Sequence, residues 1–110
     1  MNRFKSYMTT LATVNETTLI TATTTSVFII NSIIITNVHA STNSTISLVV
    51  TDTSAAASFN ILVLEAIAAG ESKEVLSRAL IVENLDVLKA QAADANVFDI
   101  IVSYLDRDRT

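Results

Sequence analysis

A chain of 110 residues and 11.8 kDa has room for one core of moderate size, and a core that small often leans on association for stability. Half of its residues are hydrophobic and only 16% are charged, which excludes a disordered chain and leaves more apolar surface than a lone monomer would bury. A formal net charge of −4 speaks against nucleic acid as a partner, since phosphate binding draws on clustered Lys and Arg; the lack of cysteine removes disulfides and thiolate metal sites together.

Residues 1–14 are rich in Thr, Tyr and Phe and predict a first edge strand with Tyr7, Thr9 and Leu11 on one side. Residues 6–18 hold no continuous apolar core, so no secretory signal is expected there. After a turn at Asn15 and Glu16, residues 17–22 read as a short strand, and a threonine link leads into the longest apolar run of the chain, 26–38. With a period of two, that run puts Val27, Ile29, Ile33 and Ile35 on one face and Phe28, Ile30, Ile34 and Val38 on the other. A strand apolar on both faces needs cover on both, from the chain itself or from a partner. The run is too short for the ~20 residues of a membrane span and is interrupted by Asn31, Ser32, Thr36 and Asn37.

The polar cluster 39–44 has the length of a longer hairpin loop, so the strand at 45–52, with Ile46, Leu48 and Val50 on its core face, is expected to pair with the central one. Residues 59–66 place Phe59, Ile61 and Val63 inward against Asn60, Leu62 and Leu64. Residues 66–83 are ambiguous: a short helix within 72–83 would line up Val75, Leu76, Ala79 and Leu80, but strand-like neighbours favour extended chain after the single glycine, Gly70. A strand over 85–92 and a turn over 93–96 lead to the second strong strand, 97–105, with Phe98, Ile100, Val102 and Tyr104 inward and Asp99, Ile101, Ser103 and Leu105 opposite. The reading is a single domain, 1–110, built as an all-β, antiparallel, jelly-roll-like sandwich of about eight strands.

Chemistry is hard to find in these residues. His39 is the sole histidine and sits in a loop without a recognisable nucleophile or orienting carboxylate. Asp106 and Asp108 lack the further oxygen ligands and the glycine of a calcium loop, and one glycine cannot make a phosphate cradle. The Asn15-Glu16-Thr17 and Asn43-Ser44-Thr45 triplets fit the glycosylation pattern, but chance suffices in a chain so rich in Asn and Thr. No catalytic residue, metal or cofactor is assigned, and an enzyme is not expected. Apolar residues on the faces away from the core are more informative: Val49, Leu62, Leu64, Ile101 and Leu105 mark a candidate subunit interface, with Arg107 and Arg109 available for ion pairs at its border.

Together, RFKSYMTTLATVNETTLITATTTSVFIINSIIITN, the TISLVV strand after a polar loop, LIVENLDVLKAQAADAN and the closing VFDIIVSYL resemble small virion structural proteins of tailed phages. The resemblance spans most of the chain and contains no catalytic motif. It implies a non-enzymatic β-sandwich used as a repeated particle component, foremost a capsid decoration protein, otherwise a neck, tail or fibre component. The partners it implies are further copies of the chain, with a trimer favoured, and the major capsid protein or neck and tail proteins; the location it implies is the virion. A lectin-like module binding host-surface glycan is the competing expectation.

Overall fold

Dense Thr, Ile and Val favour extended backbone, because branched Cβ atoms suit a pleated surface, and the computed structural model, which describes residues 2–108, has nine strands and no helix among those residues. They are β1 (Asn2–Thr10), β2 (Thr17–Thr21), β3 (Ser26–Asn37), β4 (Ser44–Asp52), β5 (Ala57–Ile67), β6 (Ser72–Glu74), β7 (Leu80–Val82), β8 (Val87–Ala92) and β9 (Phe98–Asp108). One sheet runs β1-β9-β3-β6, with β7 also paired to β3; the other runs β2-β8-β4-β5. All pairings are antiparallel. Taking β6 and β7 as two halves of one interrupted strand on the free edge of β3 gives the strand order of an eight-stranded jelly roll.

The inner faces of the two sheets make one core, in which Ile30, Ile33, Ile35, Ile46, Leu48, Leu88, Phe98, Ile100 and Val102 are fully buried. Phe28 and Tyr104 close one end, with ring centroids 4.8 Å apart and tilted.

Three expectations about the central strand and its neighbours change. The hairpin between the central strand and 45–52 does not form: β3 gives one edge to β9 and the other to β6 and β7, while β4 lies in the opposite sheet between β8 and β5. The loop after β3 therefore carries the chain across the sandwich. Asn37, fully buried, holds that crossing by donating from Nδ2 to the carbonyls of Thr42 and Ile67, both at 2.9 Å, and accepting from the His39 amide at 3.0 Å. Residues 72–83 form no helix, because pairing with the free edge of β3 satisfies their backbone groups and outweighs their helical propensity. Finally, a bulge at Asn31 shifts the alternation of β3. Phe28, Ile30, Ile33 and Ile35 all point inward, and Val27, Ile29 and Ile34 point outward.

Glu74 clamps that bulge. Its carboxylate accepts from the Ser32 hydroxyl, from the Ile33 amide at 2.9 Å and from the Leu76 amide at 3.3 Å. Burial pushes its pKa up, but the hydrogen bonds from Ser32 and from the Ile33, Leu76 and Val75 amides outweigh it and hold Glu74 below the ordinary value of 4.5. A carboxylate with a depressed folded pKa stabilises above its unfolded value, and that stabilisation drains as pH falls through the folded one. Glu74→Ala is expected to cost about 1–2 kcal/mol at neutral pH, reduced from the upper range by solvent exposure. Urea titrations at pH 7 and pH 3 check this: the gap between wild type and variant should shrink at the lower pH.

Candidate functional site

The outer face of the β1-β9-β3 sheet is the most distinctive surface of the molecule, and strand register builds it row by row. Direct neighbours across the sheet share a face, so Phe4, Leu105, Ile29 and Ile81 form one apolar row and Met8, Ile101 and Ile34 another. Between them lies a row of Ser6, Ser103 and Ser32. Phe4 is 84% exposed and Met8 66%, values that a residue in a folded core would never show. Ile34, Ile81 and Ile101 are exposed as well, and Ile29 and Leu105 are half-buried.

Charge is confined to the margins of this face. Asp99 stands at one end of β9, accepting from the Thr10 hydroxyl at 2.6 Å, and Arg107 stands exposed at the other end. Glu74 sits at the β6 edge and is occupied by the β3 bulge. A hollow of about 300 Å³ lies beside Asp99, lined by Met8, Thr10 and Ile101. The inner side is different: Lys5 pairs with the buried Asp106 at 3.0 Å, and Asp106 Oδ1 has no hydrogen-bond partner among the described residues.

Of the residues singled out in the sequence, Ile101, Leu105 and Arg107 come together on this face. Val49 and Leu64 belong to the other sheet. Val49 is half-buried opposite Lys89 and Asn60, and Leu62 is partly buried against the core. Arg109 lies outside the described residues. Sequence reading missed Phe4, Met8, Ile29, Ile34 and Ile81. The first two were within reach, since they fall on the side of the first strand opposite to Tyr7 and Thr9.

Edge strand β5 carries a second, smaller group. Its register slips twice against β4, which breaks the alternation expected there: Ile61 and Leu62 both reach the core, while Phe59 and Val63, expected inward, are left exposed with Leu64. Leu64 has a positive φ of 49° and its amide donates to the Ser47 hydroxyl at 3.0 Å. A leucine in the left-handed region is uncommon. Phe59 also borders an open cleft of about 340 Å³ between β5 and β7, together with Asp52, Asn60, Glu83 and Asp86. Asp52 is held below the ordinary carboxylate value by the Ser54 hydroxyl and the Ala55 amide. His39 is committed to its own loop: Nδ1 accepts from the Ser41 and Thr42 amides at 3.1 and 3.0 Å. Among the described residues no group of three or more His, Asp or Glu side chains is placed to hold a metal ion.

No protein-family model matches this chain, and no curated protein matches it significantly in sequence.

Proposed function

We propose that the protein is a non-enzymatic structural component of a tailed-phage virion, a decoration protein that associates with itself and docks on the particle. The observation that supports this reading best is the uncovered apolar face of the β1-β9-β3 sheet, with Phe4 84% and Met8 66% exposed on a two-sheet jelly roll. Large exposed apolar patches on folded domains mark interaction surfaces, and jelly rolls recur in capsid proteins. The fold itself is only an analogy here; the exposed face carries the argument. Electron microscopy of purified particles tests the role. The reading requires density for this chain at symmetry-related positions in many copies, and its absence from particles that were assembled in the same lysate would refute it.

The lectin-like alternative rests on Phe59, the exposed ring at the rim of the cleft between β5 and β7, beside Asp52 and Asn60. An aromatic face next to polar side chains is the combination a sugar ring needs. Glycan-array binding that disappears in Phe59→Ala would favour this reading over the first.

A further inference from the structure

The geometry points to a second copy of this chain as the occupant of the apolar face, related by a two-fold axis that lies along the serine row through Ser103. This deepens the self-association in the reading above and leaves docking on a particle as a separate matter. Outward along β9 the sequence is Asp99, Ile101, Ser103, Leu105, Arg107, an order that nearly reads the same from either end except that the terminal charges are opposite. A half-turn about an axis crossing the strands at Ser103 exchanges 101 with 105 and 99 with 107. Strands then keep their lateral order, so β1 faces β1 and β3 faces β3. Leu105 meets the second copy's Ile101, Phe4 meets its Met8, and Ile29 meets its Ile34. Each Arg107 arrives over the hollow beside Asp99 of the other copy. The alternative half-turn, about an axis along β9, would set Asp99 against Asp99 and Arg107 against Arg107, and the charges oppose it.

Area supports the same occupant. With strands about 4.8 Å apart and about 3.4 Å per residue, four strands over the nine residues from 99 to 107 give a footprint of roughly 600 Å² per copy. Pairing removes roughly 1,200 Å² in total, the lower bound of a stable specific interface. The three-fold assembly expected from the sequence resemblance needs two different patches in contact around a ring, whereas this face is complementary to itself.

Sedimentation equilibrium at micromolar concentration tests the pairing on the wild type and on Asp99→Arg, Arg107→Asp and the double variant, each first shown to melt cooperatively. The wild type should have twice the chain mass of 11.8 kDa. Each single reversal, which by symmetry creates two like-charge contacts, should raise the dissociation constant about tenfold or more, and the double reversal should restore it to within about threefold. Phe59→Ser on β5 should leave it unchanged. A monomer, a mass three times that of the chain, a double variant no tighter than the singles, or dissociation caused by Phe59→Ser would each overturn the two-fold face. A wild-type monomer would also remove self-association from the proposed function, whereas an oligomer indifferent to the charge reversals would remove this geometry alone.

Discussion

Replacing Ile33 by Asp is expected to abolish cooperative folding, while the same change one residue further on, Ile34→Asp, is expected to leave a normal thermal transition. Ile33 is fully buried between the sheets, and the nearby Glu74 carboxylate receives the Ile33 amide, so a second carboxylate there would be both desolvated and repelled. Burying an unpaired charge together with the loss of an isoleucine from a packed core costs more than about 5 kcal/mol. That matches or exceeds the lower end of the roughly 5–15 kcal/mol by which domains of this kind are stable. Ile34 is 37% exposed on the outer face, so a carboxylate there keeps its water. Thermal melts followed by circular dichroism decide the matter, and a cooperative transition in Ile33→Asp would mean that the bulge at Asn31 is misplaced.

Asn37→Leu is the second large effect. Leucine has the same branched arrangement of side-chain heavy atoms but no polar ones and somewhat more bulk, so the substitution strands the carbonyls of Thr42 and Ile67 and the amide of His39. Unmade hydrogen bonds to buried backbone groups cost about 1–3 kcal/mol each, and part of the loop can recover water. A net loss of about 3 kcal/mol is expected by urea denaturation. The cause is positional: the backbone of Asn37 also bonds Glu71 and Gly70, so this one residue ties the end of β3, the crossing loop, the end of β5 and the turn before β6. A change below about 1 kcal/mol would show that the crossing is held elsewhere.

The strands were legible because their residue types and alternation are strong local signals. Phe98, Ile100, Val102 and Tyr104 face the core as the alternation of the last strand predicts. Pairing was less legible. A loop of hairpin length followed β3, yet β4 crosses to the other sheet because both edges of β3 are taken by segments distant in sequence, β9 and the β6–β7 strand. The alternation of β3 breaks at a step that its own residues mark. Its apolar residues step by two, then by three across Asn31 and Ser32, then by two again, and a polar pair at the step is the mark of a bulge. What fixes that bulge is Glu74, more than forty residues away, and no local pattern reveals it.

The same distinction applies to the candidate site. Alternation alone put Ile101 and Leu105 on the side away from the core, but only register shows that Phe4, Met8, Ile29, Ile34 and Ile81 lie beside them. Residues 66–83 could have covered a face of the central strand; the β6 and β7 strands within them extend its edge instead. The outer face is thereby left uncovered among the described residues, and in the proposed pairing a second copy of the chain covers it.

Cross-linking at Ser103 is the most direct measurement of that conclusion. The chain has no cysteine, so Ser103→Cys provides one thiol per copy next to the proposed two-fold axis, and Gln91→Cys, exposed on the outer face of the opposite sheet, provides the control. A bismaleimide short enough to span the roughly 10 Å between packed sheets should convert Ser103→Cys to a covalent dimer and leave Gln91→Cys monomeric. Efficient cross-linking through position 91 with none through position 103 would contradict assembly through the β1-β9-β3 face.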